Sequence, residues 1–292
     1  MKNILLVALF LVSVSLNAQY YYDDIIGTRD INNKMKTYLA AKVKSVTATG
    51  YDPQGSKTNE FNEWQDVQAN GTVLKLTTRN GQSVARTYYQ FDNRTRLISA
   101  RDSATDVESI TTYRYDANDN LVNIKTTSKD PLHEAGQTKE RQYEYKDGQV
   151  FRMLFIQDGV DSISYKFTVD EKKNVADEMM YHRGGSQNQI YYYYEQQKVY
   201  YFYDDNHRLT DITKYNAKLD RLLPDFMFEY DDNNRVIQRI TVLSTVQYDT
   251  KRPDYFIWRY AYNEQGLKTR EVLFGKEKEL KGKIEYTYTF NQ

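Results

Sequence analysis

One pattern recurs eight times along this chain and limits what it can become. An aromatic or apolar residue is followed by a polar turn and then, five or six positions on, by Leu or Val. The copies occupy residues 67–73 (VQANGTV), 91–97 (FDNRTRL), 115–121 (YDANDNL), 145–150 (YKDGQV), 169–175 (VDEKKNV), 203–209 (YDDNHRL), 230–236 (YDDNNRV) and 262–267 (YNEQGL). Successive starts lie 24, 24, 30, 24, 34, 27 and 32 residues apart. Self-similarity at such a period marks a repeat architecture.

Upstream of each turn the residues alternate. Tyr113 and Tyr115 flank Arg114, Tyr143 and Tyr145 flank Glu144, and Phe256, Trp258, Tyr260 and Tyr262 enclose Ile257, Arg259 and Ala261. Period two is the strand signature, here with one aromatic face and one mostly polar face. Asp, Asn and Gly then supply the turn, because their side chains bond local backbone and they tolerate positive φ. Each unit reads as an antiparallel hairpin. The closing aliphatic and the next one lie three apart, as in Leu121 with Ile124 or Leu209 with Ile212. Strict alternation splits such a pair between faces, so either a bulge or cover on both faces is expected.

Hairpins in series make an all-β meander, expected to form a large curved or rolled sheet. Short turns line one rim, and longer polar returns such as residues 128–138 and 183–189 line the other. Residues 43–49 open the meander and residues 284–290 (IEYTYTF) end it. Residues 191–203 break the pattern, as one long strand interrupted near 195–198 or as an extra small hairpin. Residues 28–42 read as one short helix, with Thr28 as cap and Ile31, Met35, Tyr38 and Leu39 as its apolar stripe. Its expected task is to cover a sheet edge or end.

The first 18 residues read as a Sec-type signal peptide: Lys2, an apolar stretch from Ile4 to Val14, then small residues, with cleavage expected after Ala18. The expected division is therefore 1–18 signal peptide, 19–42 N-terminal extension with the helix, and 43–292 a single repeat domain. After the signal no apolar run of about 18 residues occurs, so no transmembrane helix is expected. The address is the periplasm, the cell surface or the exterior. The 292 residues contain no Cys, which removes disulfides and thiol chemistry, and the 40 basic residues balance the 40 acidic ones, so nucleic acid is not an expected partner.

Three sets of residues match a known motif in order: Tyr113-Arg114-Tyr115-Asp116 through Leu121 and Ile124; Tyr201-Phe202-Tyr203-Asp204 with Arg208, Leu209 and Ile212; and Tyr230-Asp231 with Arg235-Val236. Over roughly residues 60 to 275 the chain resembles the YD repeat of the RHS family of bacterial surface and secreted proteins. That resemblance implies repeats wound into a β-sheet shell. The chain departs from it: Asn mostly replaces the turn Gly, repeat lengths vary, and no RHS core or toxin domain follows. It is also similar to uncharacterised secreted Bacteroidetes proteins with degenerate YD-type repeats.

Chemistry is sparse. His133, His182 and His207 are read as loop or turn residues without metal-ligand spacing, Gly184-Gly185 is a plain loop pair, and no nucleophile, P-loop or dinucleotide motif occurs. The acidic pairs Asp116/Asp119, Asp204/Asp205 and Asp231/Asp232 are explained by turn chemistry before calcium. No catalytic, metal or cofactor residue is expected, and the chain is read as no enzyme. The 28 Tyr residues belong mainly to the protein's own core. The off-pattern Tyr192, Tyr194, Tyr200 and Tyr201 are the candidates for an aromatic binding surface. The expected function is a non-enzymatic, exported binding or scaffold module, its partner unknown, with protein or glycan of the cell envelope as the classes considered. The alternatives are an outer-membrane β-barrel and a hydrolase with an unrecognised site.

Overall fold

The computed structural model describes residues 19–103, 108–130, 133–183, 190–192, 198–216, 219–243 and 254–292. The expected signal peptide, Gly184-Gly185 and Tyr194 lie outside them. Among the described residues the chain forms β1 (Val43–Tyr51), β2 (Lys57–Gln68), β3 (Val73–Asn80), β4 (Ser83–Phe91), β5 (Leu97–Ser103), β6 (Glu108–Tyr115) and β7 (Leu121–Asp130). It continues with β8 (His133–Lys146), β9 (Gln149–Gln157), β10 (Val160–Val169), β11 (Val175–Arg183), β12 (Ile190–Tyr192) and β13 (Lys198–Tyr203). The last segments are β14 (Leu209–Asn216), β15 (Arg221–Tyr230), β16 (Val236–Leu243), β17 (Asp254–Tyr262), β18 (Lys268–Phe274) and β19 (Leu280–Phe290).

Neighbours in sequence pair antiparallel, and the ladder then closes on itself. β1 pairs with β19, placing Val46 opposite Tyr288 and Ala48 opposite Tyr286. β12 and β13 both lie along β11, with Tyr181 opposite Tyr192 and Asp177 opposite Tyr200, so they are two halves of one interrupted strand. The ring therefore has 18 strand positions. This corrects the expected open curved or rolled sheet: the architecture is a closed β-barrel, and closure removes both sheet edges at once.

Six of the eight repeat turns share one build, the exceptions being the 3-10 turn Ala69–Gly71 and the two-residue turn between Lys146 and Gln149. In residues 231–235, Asp231 Oδ1 accepts N–H bonds from Asn233 (3.0 Å) and Arg235 (2.9 Å), and Asn234 takes φ of 61°. Asp92, Asp116 and Asp204 repeat these two bonds, with Thr95, Asp119 and His207 at positive φ. A carboxylate that satisfies two backbone donors makes the turn local and cheap to form. After the turn comes a bulge. Tyr115 faces Leu121 while Arg114 faces Asn123, so Val122 is skipped. The same shift follows the 91–97, 145–150, 203–209 and 230–236 turns. The bulge is why Leu121 and Ile124, three apart, both point inward. In the last repeat the register differs from the sequence expectation, because Tyr262 pairs with Lys268 and Leu267 sits within the turn.

All eight repeat turns occupy one rim. The other rim is not made of long loops throughout. Asn80 faces Ser83 and Gln157 faces Val160 across two-residue turns, and β8 already begins at His133 within the expected 128–138 return.

The N-terminal helix starts earlier than expected and goes elsewhere. A π-helical turn (Tyr21–Ile26) runs into α1 (Gly27–Ala40), and Thr28 is a buried residue inside the helix, not its cap. With no edge left to cover, the helix lies in the bore. Tyr21 packs edge-on against Tyr201 of β13 at 5.2 Å, while the Tyr38 hydroxyl donates to Gln65 of β2 at 2.9 Å. Those two strands are nearly opposite on the ring. A circular ring of 18 strands, spaced ~4.8 Å apart and tilted ~40°, is roughly 35 Å across, and residues 21–40 make a rod of about 30 Å. Length and bore match.

Candidate functional site: the bore and its helix

The inward face supplies two apolar nests for the helix. Its first turn, Tyr20, Tyr21, Tyr22, Ile25 and Ile26, packs among Tyr143, Tyr165, Phe167, Tyr201 and Phe228. Its last turns place Met35 and Tyr38 among Val43, Val46, Leu74, Phe91, Leu97 and Leu267. Met35 is fully buried, which stabilises docking by about 1.5–3 kcal/mol.

Charged groups fix the helix within these nests. Asp24, 8% exposed, accepts a hydrogen bond from the Tyr143 hydroxyl and lies 3.1 Å from Arg141 Nε. Burial raises the Asp24 carboxyl, while Arg141 and Tyr143 hold it down. Glu178 of β11 has no exposed surface. It accepts from the free N–H groups of Tyr20 (3.1 Å) and Tyr21 (2.9 Å) and from the Tyr201 hydroxyl (3.0 Å). The first N–H groups of a helix have no partner in their own helix, so a wall residue here performs the cap that the helix lacks. Burial pushes Glu178 up to about 7 against those three donated bonds. Asp23 is pushed up to about 6 by burial and by Asp24, opposed by Arg141 and Lys214. Further along, Asn32 accepts from the Leu97 N–H at 2.8 Å.

A second polar group lines the wall beside the other end of the helix. Glu271 accepts from Lys268 Nζ (2.7 Å) and the Tyr286 hydroxyl (2.6 Å). Lys34 is solvent-exposed, yet burial pulls its ammonium below the ordinary value against Glu63 and Glu271.

The outward face is of a different kind. Opposite the inward Tyr113, Ile124 and Tyr143 run Arg114, Asn123, Glu140 and Gln142, joined by bonds of 3.3, 2.8 and 2.8 Å. Arg152 pairs with Glu144 at 3.6 Å, Lys198 with Asp177 at 3.0 Å, and Lys283 with Glu285 at 2.5 Å. An apolar row also crosses this wall, where Met227, Ile240, Ile257 and Phe274 face one another across β15 to β18.

Of the four expected binding tyrosines, the described pair Tyr200 and Tyr201 stand on opposite faces of the wall. Tyr201 is 3% exposed and belongs to the helix dock, which corrects its assignment as a platform. Tyr200 points outward with Lys198 over its ring at 4.9 Å. Tyr192 lies in β12, and Tyr194 is outside the described residues. His133 and His182 sit in β8 and β11 instead of in loops, while His207 is a turn residue whose Nδ1 is 3.0 Å from Asn174 Oδ1. The turn aspartates Asp116, Asp204 and Asp231 are engaged by backbone N–H groups.

Sequence reasoning passed over Glu178, Asp24 and Arg141, although a signal existed for the first. The position three beyond each closing residue faces inward: Ile124 after Leu121, Met153 after Val150, Ile212 after Leu209. At that position the fifth copy carries Glu178 after Val175 and the seventh Arg239 after Val236; in the eighth, where Lys268 takes the closing place opposite Tyr262, it is Glu271. A charge where the repeat demands an aliphatic marks the inner polar groups.

No family model matches the chain, and no curated protein matches it. Among solved structures it is similar to a porin-like protein from Bacteroides uniformis, with a TM-score of 0.41 and 11% identity over 85% of this chain and 97% of that one. A porin-like protein from Bacteroides vulgatus gives 0.27 and 11% over 85% and 98%. The Tc holotoxin pore of Photorhabdus luminescens gives 0.29 and 9% over 82% and 15%. Likenesses at this level carry no assignment, and the barrel stands on its own ladder. Of the architectures the sequence allows, the closed barrel holds and the open binding sheet does not.

Proposed function

We propose that the chain is an exported, non-enzymatic β-barrel of the cell envelope, closed by its own N-terminal helix and presenting its outer wall to water as a binding or scaffold surface. The polarity of the two faces carries this reading. Inside, aromatic rings pack against the helix; outside, Arg114, Glu140, Glu144, Arg152, Asp177 and Lys198 alternate with the inward apolar set. A lipid-facing Arg or Lys costs about 2–4 kcal/mol at the bilayer midplane and about 0–1 near the interfaces, and Arg101, Lys125 and Lys166 stand mid-strand on this wall. The resemblance to YD repeats rests on the shared order of Tyr, Asp, Arg and Leu around the turns.

The second reading is insertion in the outer membrane. It is favoured by the closed antiparallel ring, by the even number of strand positions and by the outward row of Met227, Ile240, Ile257 and Phe274. Flotation with liposomes separates the two. A chain that stays in the aqueous fraction and purifies without detergent supports the water-facing barrel; one that floats and needs detergent establishes the inserted barrel in its place.

A further inference from the structure

Glu178 is a fully buried carboxylate that meets neutral donors alone. Its partners are two peptide N–H groups and a phenol. Around it the charges do not balance. Asp24 is matched by Arg141 at 3.1 Å and Asp225 by Lys214 at 2.5 Å. Asp23, in the same turn of the helix, forms no ion pair among the described residues. Among the described residues no Lys or Arg forms an ion pair with Glu178. Buried charges are paired as a rule, because an isolated ion in a low-dielectric site costs several kcal/mol.

The missing charge has a natural source one peptide unit away. Glu178 Oε1 lies 3.1 Å from Tyr20 N, and the residue before Tyr20 is Gln19. Gln19 is 7% exposed, with its Nε2 donating to Asp225 at 2.8 Å. The sequence expects the leader to be cut at the Ala18–Gln19 bond. We propose that the cation Glu178 lacks is the α-ammonium released at Gln19 by that cut, so that leader removal locks the helix into the bore. The proposal rests on the export reading.

The chemistry balances. Water adds across the peptide bond, Ala18 leaves as a carboxylate, and the Gln19 amine takes up a proton, its ordinary value being about 7.7–8.0. An opposite charge within ~4–6 Å favours the ionised form of both partners, so the amine rises above that range and Glu178 falls from about 7. Docking also opposes a side reaction. A free N-terminal Gln cyclises when its amine attacks its own side-chain Cδ and expels ammonia. With the amine on Glu178 and Nε2 on Asp225, the two groups are held apart.

The test uses the chain beginning at Gln19, generated in vitro by site-specific proteolysis, beside the same chain with one extra Ala in front. The expected result is an α-amine in the Gln19 chain that reacts with an acylating reagent about tenfold more slowly than an exposed amine at pH 8. Glu178→Gln should restore the ordinary rate, and the added Ala should speed amide exchange at residues 20–26 about tenfold. An ordinary amine rate in the Gln19 chain, or exchange unaffected by the added Ala, overturns the proposal. If Glu178→Gln does not fold, the comparison of the two starting chains decides. Export is read separately: an N-terminus other than Gln19 in protein recovered from the envelope removes the leader reading, while the in vitro chains still report on the pairing.

Discussion

The Tyr230 hydroxyl donates to the Leu209 carbonyl at 2.7 Å, tying the opening aromatic of one repeat to the closing aliphatic of the repeat before it. Tyr115 does the same to Leu97 (3.0 Å), Tyr145 to Leu121 (3.0 Å), Tyr203 to Val175 (2.9 Å) and Tyr262 to Val236 (2.9 Å). The turn arginine of the preceding repeat lies over the same ring, Arg208 over Tyr230 at 5.1 Å and Arg235 over Tyr262 at 4.9 Å. The Tyr, Asp, Arg and Leu of the motif are thus one joint between neighbouring hairpins. Asp shapes the turn, Leu faces inward, and Tyr and Arg hold the next unit beside it.

Tyr230→Phe leaves the Leu209 carbonyl without its phenol donor. The expected loss is about 0.5–1.5 kcal/mol in urea unfolding. Tyr115→Phe lies several strands away, so the double variant should lose the sum within about 0.5 kcal/mol. Strong non-additivity would show that the joints are coupled around the ring.

Asp24→Ala strands the half-buried Arg141 side chain and removes the acceptor of the Tyr143 hydroxyl. Breaking a buried pair from one side costs about 3–5 kcal/mol. Hydrogen exchange should place the loss first in residues 20–26, ahead of the strands. Uniform loosening of the barrel would contradict the helix as a separately docked element.

With its N-terminus acetylated the chain keeps Glu178 unpaired, and its stability should fall as pH rises. Glu178 sits at about 7 against an ordinary 4.5, and Asp23 at about 6 against 3.8. For acids raised in this way the folded state holds the extra proton, so the contribution is complete below the ordinary values and is lost by about pH 7. The melting temperature should decline between about pH 4 and pH 7, with a smaller slope in Asp23→Asn and in the chain with a free Gln19. A rise over that range would reverse the sign argued here.

Met35→Ala empties a fully buried site between the helix and the wall, at a cost of about 2–5 kcal/mol. Arg152→Leu, on the outward face with Glu144 at 3.6 Å, should change stability by less than about 0.5 kcal/mol. Calorimetry of the two variants checks the assignment of inner and outer faces. Similar losses at both positions would contradict it.

Local physics made the hairpins readable. Asp231 with Asn234, and the three-residue step from Leu121 to Ile124, report turn and bulge through bonds a few residues long. Closure is not readable in that way, because the pairing of Val46 with Tyr288 joins residues at opposite ends of the chain and leaves no periodic trace. The helix was legible as a helix from Met35 and Tyr38. Its place was not, since an apolar stripe fits a sheet edge as well as a bore. Glu178 was overlooked because a single Glu on a strand looks solvated until its place in the repeat is counted.

The seam between β1 and β19 has a consequence for assembly. Asn291 N–H donates to the Lys42 carbonyl at 2.8 Å, so the final residues of the chain complete the first strand's hydrogen bonding. A molecule emerging N-terminus first therefore carries two raw flanks until its last segment arrives. Any product halted before Leu280 keeps them for good, and such flanks recruit strands from other molecules. Full-length translation is thus a condition for remaining monodisperse.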